Sequence, residues 1–220
     1  MGVASQYDLL AKQYASHLFN ELSHKPVDRE LLDRFARDVK GRGEACDLGC
    51  GPGQIARYLR DAGARVFGLD ASRGMLEEAR RLSPDIAFRH GDMRALELDE
   101  GSLAGIAAFY AIVHTAPTSL PEVFGEMHRV LQPNGLLLLA FHVGHETVHR
   151  DELWGVQLSL DFIFFTMEEV TKALQSAHFD IEEMIERAPY PDVEYQSRRV
   201  YAFARKRHSA VVLASDTKQV

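Results

Sequence analysis

Cysteine is scarce: Cys46 and Cys50 are the only two in 220 residues. That excludes a disulfide framework and leaves no second ligand pair for a structural zinc site. A reduced, cytoplasmic setting is expected. Long apolar runs are missing too. Nowhere do about 18 apolar residues follow one another, so no membrane-spanning helix and no membrane partner are expected. The opening MGVASQYDLL has no cationic segment followed by an apolar stretch, and Gln6 stands where an N-myristoylation signal needs Ser or Thr. A cationic surplus is lacking as well. With 25 Lys+Arg against 32 Asp+Glu, the formal charge is -7, which disfavours a nucleic-acid substrate, because gripping phosphates requires cations that displace counterions. The richest basic stretch, Arg198, Arg199, Arg205, Lys206 and Arg207, reads as a solvated strand edge. No internal repeat or low-complexity tract occurs.

What is present is an ordinary globular composition, 46% hydrophobic and 26% charged, in a chain long enough for one domain with a sizeable core. The segment YDLLAKQYASHLFNEL has the helical period. A second helix opens at Pro26 and carries Leu31, Leu32, Phe35 and Val39 on one face. Together they form an N-terminal helical cap, residues 1–40. After GRG, short apolar runs alternate with helices: EACDLG, RVFGLD, IAFRH, LAGIAAFY and GLLLLAFHV. Such spacing is how parallel strands must be joined, which predicts an α/β, doubly wound, Rossmann-like sheet of about seven strands. The continuous apolar run LLLLAFHV marks a central strand buried on both faces. Capping boxes are expected at Ser119 with Glu122 and at Thr166 with Glu169, and Pro133, Asn134 and Gly135 mark a turn. FDIEEMIERA and RRVYAFARK, joined by a polar loop without a helix, predict an antiparallel C-terminal hairpin. The single domain thus spans 1–207, with a cofactor-binding core at 44–143, a substrate-loop region and hairpin at 144–207, and a loose tail at 208–220.

Chemistry concentrates at strand ends. Gly49, Gly51 and Gly53 follow the first strand and precede a helix, so a ligand can lie against bare backbone. Asp70 ends the next strand, where a carboxylate can accept hydrogen bonds from two ribose hydroxyls. The pair points to a nucleoside cofactor. A dinucleotide turn reads GxGxxG and faces a pyrophosphate. Here the pattern is GxGxG, with Pro52 inside it and Gln54 in place of the last glycine. A nucleoside without phosphates, S-adenosylmethionine, fits better than a nicotinamide or flavin.

These motifs resemble those of the class I S-adenosylmethionine-dependent methyltransferases of small-molecule type. DLGCGPG resembles their glycine-rich motif, GLDAS the acidic end of their second strand, HGDM the loop after the third, and FYAIVHT the end of the fourth. The match runs in register over 44–143. The resemblance implies that Asp47 and Gly49 sit by the methionine amino group and that Asp70 holds the ribose. It implies that Ala71 and Met75 lie along the nucleoside, that Asp92 accepts from the adenine amino group with Met93 on its ring, and that the Tyr110 backbone helps position the sulfonium. The similarity also suggests that Tyr14, and less directly Lys25, meet the cofactor from the N-terminal helices. The Asn/Asp-Pro-Pro-aromatic motif of amino-methylating nucleic-acid enzymes is absent after the fourth strand.

His114, four residues beyond Tyr110, falls in the loop outside the carboxyl ends of the strands. Its near-neutral pKa suits a general base, so it is the catalytic candidate. His142, His145 and His149 have helical metal-ligand spacing, but no cysteine or carboxylate partner completes a site, and no metal is expected. The aromatic stretch with Trp154, Phe162, Phe164 and Phe165 is placed to wall an apolar substrate pocket. The activity expected is methyl transfer to an oxygen or nitrogen of a small, partly apolar metabolite. The rivals are a methyltransferase acting on protein or nucleic acid, a non-catalytic nucleoside-binding module, and a dehydrogenase. The oligomeric state is left open.

Overall fold

The computed structural model describes residues 2–207; the tail expected at 208–220 lies outside the described residues. Two helices come first, α1 (Val3–Leu18) and α2 (Pro26–Val39), separated by a short 3-10 turn, Glu21–His24. Proline at the first position of α2 costs nothing, because its missing N–H would have no intrahelical partner there. Leu31, Leu32, Phe35 and Val39 form the buried face of α2, as their spacing predicts.

The alternating region folds as β1 (Glu44–Leu48), α3 (Gln54–Asp61), β2 (Arg65–Asp70), α4 (Arg73–Leu82), β3 (Phe88–His90), β4 (Leu103–Phe109), α5 (Leu120–Val130) and β5 (Leu131–His142). There follow β6 (Thr147–Leu153), β7 (Val156–Ile163), α6 (Met167–Ser176), β8 (Phe179–Arg187) and β9 (Arg199–Lys206). The main sheet has the order β3-β2-β1-β4-β5-β9-β8. Its first five strands are parallel, and β9 runs antiparallel between β5 and β8. The expected seven-stranded sheet is present. Strand order reverses between β1 and β4, which opens a crevice outside their carboxyl ends.

The centre of β5 explains its unbroken apolar run. Leu137, Leu139 and Phe141 pack on one face with Phe124 of α5 and Leu174 of α6, while Leu136, Leu138 and Ala140 pack on the other with Phe35 of α2 and Leu59 of α3. Each such leucine, truncated to alanine, would cost about 2–5 kcal/mol in transfer and cavity terms.

Three local expectations change. Thr166 and Glu169 do form a capping box, with the Glu169 N–H donating to Thr166 Oγ1 at 3.1 Å and the Thr166 N–H to Glu169 Oε2 at 2.8 Å. Ser119 forms none: it already has helical dihedrals, φ -95 and ψ -7, at the end of a 3-10 turn, Pro117–Ser119, that runs straight into α5. Its hydroxyl makes no capping bond. Residues 133–135 do not separate helix from strand, for β5 begins at Leu131 and the extra residues are absorbed where its register on β4 jumps from Leu103↔Leu131 to Gly105↔Leu136. The aromatic stretch is no loop: β6 and β7 pair as a separate antiparallel hairpin. The amide side chain of Gln6 in α1 ties the hairpin down by pairing with both the N–H and the C=O of Ser159.

Among the described residues, no helix is long and apolar enough to cross a membrane.

Candidate functional site

β1 runs directly into the turn Gly49-Cys50-Gly51-Pro52-Gly53, where the three glycines have φ of +71, +51 and +84. A side chain would be strained at each. At Gly49 space is also absent, since a Cβ there would stand 2.7 Å from that of Ala111 in the loop after β4. Gly53 serves packing instead: a Cβ would meet the Phe88 ring at 2.7 Å, and the residue does not line the cleft. Asp47 is also off the cleft. It is buried beneath the turn, where its Oδ2 accepts the Ala56 N–H at 2.8 Å. Burial pushes its pKa up to about 8. Asp47 therefore holds the start of α3 against the turn from behind, and its carboxylate is not part of the cleft wall.

Asp70, at the tip of β2, accepts the Gly51 N–H through Oδ2 and the Ser72 N–H through Oδ1, both at 2.8 Å. It lines the cleft, and burial raises its pKa. Asp8 of α1 supports this corner: its carboxylate accepts the Ser72 hydroxyl at 2.7 Å and the Gly74 N–H at 2.8 Å, tying the N-terminal helix to the start of α4.

Two concavities meet above these strand ends. The larger, about 630 Å³, brings together Gly49, Gly51, Asp70, Ala71, Met75, Asp92, Met93, Tyr110, His114 and Tyr14. Asp92 is engaged within it, because Arg94 pairs with its carboxylate through backbone and guanidinium and holds its pKa below the usual range. The smaller cavity, about 240 Å³, has Trp154, Phe162 and Phe164 in its walls. Phe165 is not among them. It is fully buried in the core with Val170 and Leu174, because its N–H bonds to the His142 carbonyl and turns its ring to the opposite side from Phe164. Tyr7, Tyr14, Tyr110 and Val113 line both spaces. Tyr110 leaves β4 with φ 54, a strained value for a non-glycine residue.

His114 is not a free base. Its Nδ1 lies 2.7 Å from the Asp161 carbonyl, which can only accept, so Nδ1 carries the proton and Nε2 is the acceptor. Nε2 takes the Tyr7 hydroxyl at 2.8 Å. Burial lowers the His114 pKa and raises that of Tyr7. Tyr7 is thus the group of this pair that touches both concavities' junction, a role its place in an amphipathic helix does not advertise. His142 is sandwiched between Tyr110 and Phe164, at 4.8 Å from each ring, with Nδ1 on the Ser197 hydroxyl at 2.7 Å. Burial, then the nearby Arg199, pushes its pKa down to about 3.

The floor of the smaller cavity is an ionic network that sequence reading missed. Asp28, buried in α2, accepts Arg187 at 2.9 Å and the Tyr201 hydroxyl at 2.7 Å. Glu194 accepts hydrogen bonds from Arg187 and forms ion pairs with Lys25 at 3.4 Å and Arg199 at 3.2 Å, while Lys25 also pairs with Glu21. Arg199 is only 2% exposed, which overturns its reading as part of a solvated edge. β9 is interior to the sheet, inserted between two neighbours, and its arginine points into protein. Lys25, similarly, is held between two carboxylates.

The three histidines of the HxxHxxxH pattern diverge: His149 sits on an exposed strand of the hairpin, with Asp161 at 2.6 Å and Asp151 at 2.9 Å. Among the described residues no group of three or more His, Cys, Asp or Glu could hold a metal ion.

Comparison with known proteins gives a consistent picture. The family described as a methyltransferase domain matches residues 45–135. The chain is 34% identical over 139 residues to a malonyl-[acyl-carrier protein] O-methyltransferase of Enterobacter lignolyticus, covering 61% of this chain and 51% of that protein. It is 33% identical over 141 residues to a demethylmenaquinone methyltransferase of Beutenbergia cavernae, covering 63% and 57%. The chain therefore spans little more than half the length of these curated relatives. A crystal structure of a SAM-dependent methyltransferase from Methanosarcina mazei superposes with a TM-score of 0.68 at 17% identity, covering 74% of this chain and 92% of that one, a likeness of fold.

Proposed function

We propose that this chain is a class I S-adenosylmethionine-dependent methyltransferase and that it transfers a methyl group from S-adenosylmethionine to an oxygen or nitrogen of a small, partly apolar metabolite. The observation that carries the proposal is the junction at Tyr7, Tyr14, Tyr110 and Val113, where a nucleoside-sized cleft opens onto an aromatic cavity.

The cleft fits the cofactor. Its floor is bare backbone, an acid stands at the tip of β2, and Met75 and Met93 supply apolar walls. Gln54 stands at the start of α3 where a dinucleotide turn has its third glycine, and its side-chain amide donates to the Glu21 carboxylate at 3.2 Å. In this reading Asp70 accepts from the ribose hydroxyls, Ala71 and Met75 flank the sugar and base, Met93 covers the adenine, and Gly49, Gly51 and Tyr14 border the methionine portion. Asp92 can take the adenine amino group only while sharing its carboxylate with Arg94. When bound, the cofactor supplies a methyl group on a positively charged sulfur, already activated toward a nucleophile.

The chain's own work is then alignment and proton handling. Trp154, Phe162 and Phe164 exclude water around the acceptor. Tyr7 Oη stands at the junction, and His114 Nε2 holds the tyrosine proton. The acceptor's proton passes to Tyr7 Oη as the tyrosine proton moves to His114 Nε2, leaving an imidazolium whose Nδ1–H rests on the Asp161 carbonyl. Two free, buried thiols, Cys46 and Cys50, suit a cytoplasmic setting.

Calorimetric titration with S-adenosylhomocysteine and with NADH tests the cofactor, and transfer of labelled methyl groups to a metabolite panel tests the activity. Tight NADH binding without a response to S-adenosylhomocysteine would end the proposal. Cofactor binding without turnover on small acceptors, but with turnover on protein or nucleic acid, would redirect it.

A further inference from the structure

We infer that the acceptor is a small aromatic or similarly flat monocarboxylate whose carboxylate pairs with Arg150 at the end of the cavity remote from the donor cleft. This inference rests on the methyltransferase reading of the site.

Charge accounting points there first. Lys25 faces Glu21 and Glu194, Arg187 faces Asp28 and Glu194, and Arg199 faces Glu194. Three cations and three carboxylates close this network on itself. Arg150 also lines the cavity, but among the described residues it pairs with no carboxylate; its guanidinium lies over the Tyr195 ring, 5.4 Å from the centroid. Its direction is set by the strand. Along β6 the alternation turns Val148 and Arg150 toward the cavity and leaves His149 and Asp151 outside.

An acceptor entering a cavity of about 240 Å³ strips water from that guanidinium. A neutral acceptor would leave the cation desolvated and unpaired, whereas a carboxylate compensates it with charge-assisted, two-pronged hydrogen bonds. A dianion such as a phosphate monoester is disfavoured, because among the described residues lining the cavity Arg150 is the one cation without a carboxylate partner, and it balances a single negative charge. Trp154, Phe162, Phe164 and Tyr195 provide flat apolar surface for the remainder of the molecule.

Position assigns the two ends. Arg150 and Tyr195 line the cavity alone, while Tyr7, Tyr14 and Tyr110 border the donor cleft too. A molecule anchored at Arg150 therefore presents its opposite end to the methyl donor. The guanidinium acts on binding and orientation, not on the group methylated.

The experiment uses protein saturated with S-adenosylhomocysteine, titrated with benzoate, 4-hydroxybenzoate and phenylacetate and with their matched carboxamides, and phenyl phosphate as the dianion. Carboxylates are expected to bind at least about tenfold more tightly than the amides. In Arg150→Gln that preference should fall to within about threefold, Arg150→Lys should retain part of it, and affinity for S-adenosylhomocysteine should be unchanged in both. Equal binding of carboxylates and amides, no binding of the carboxylates, tighter binding of phenyl phosphate, or a loss confined to S-adenosylhomocysteine in Arg150→Gln would each overturn the inference. Wild-type protein that takes no S-adenosylhomocysteine would defeat the methyltransferase reading itself; cofactor binding without carboxylate preference would defeat this inference alone.

Discussion

Tyr7 and His114 share a 2.8 Å hydrogen bond between the tyrosine hydroxyl and Nε2, and the opposite ring nitrogen is fastened to the Asp161 carbonyl in the hairpin. Three elements distant in sequence, the first helix, the loop after β4 and the β6–β7 hairpin, are thereby joined at the mouth of both concavities. If this pair handles the acceptor's proton, Tyr7→Phe and His114→Asn should each lower kcat by about 10- to 100-fold, while affinity for S-adenosylhomocysteine changes less than about threefold. Normal turnover in Tyr7→Phe would remove the relay from the mechanism.

The pH dependence of kcat follows from the same pair. Burial lowers the His114 pKa from its ordinary 6.5, so Nε2 stays unprotonated as the pH falls through that value. The acid limb of kcat should lie below 6.5, and His114→Asn should abolish it. A limb centred at or above 6.5 would contradict the assignment.

Stability should respond to pH through His142. Its folded pKa, about 3, lies below the ordinary 6.5, so between these values the unfolded chain binds a proton that the folded one refuses. Stability contributed by the neutral, stacked ring is therefore present above pH 6.5 and lost as the pH falls below it. Chemical denaturation at about pH 7 and 5 should differ by roughly 1–2 kcal/mol more in the wild type than in His142→Phe. An identical difference in both proteins would exclude the histidine as the source.

Gly49→Ala should both destabilise the protein and close the cleft. The φ of +71 opposes a side chain, and the new methyl would stand 2.7 Å from Ala111 Cβ. We expect a loss of about 1–3 kcal/mol together with lost S-adenosylhomocysteine binding. Unaltered binding would mean that the cofactor does not approach this turn.

Asp70→Ala should weaken S-adenosylhomocysteine binding by at least about tenfold and lower the melting temperature as well. Two backbone N–H groups, of Gly51 and Ser72, depend on that carboxylate. A fall in melting temperature with full cofactor affinity would restrict Asp70 to a structural role.

Much of the fold is legible in the residues because its signals are local. Continuous apolar runs in β4 and β5 announce strands covered on both faces, and glycines at positive φ announce the turn after β1, since both constraints act within a few residues of chain. The candidate site is legible where it is made of strand tips: Asp70 at the end of β2 and Tyr110 just past β4 line the cleft because the topology brings the carboxyl ends of the parallel strands together there. The hairpin β6–β7 is less so. Its strands mix charge with apolar residues, and their arrangement depends on docking against α1 through Gln6.

The sequence by itself determined the alternating sheet, the glycine turn after β1 and the aromatic character of the adjoining cavity, because backbone geometry and hydrophobic period are properties of neighbouring residues. Only the tertiary structure decided that His114 is clasped by Tyr7, that Arg199 is buried against Glu194, that Phe165 turns into the core and that Arg150 pairs with no carboxylate among the described residues. Those outcomes depend on which charges and rings from remote segments meet after water has been expelled, and pairing energies of that kind have no period along the chain from which they can be read.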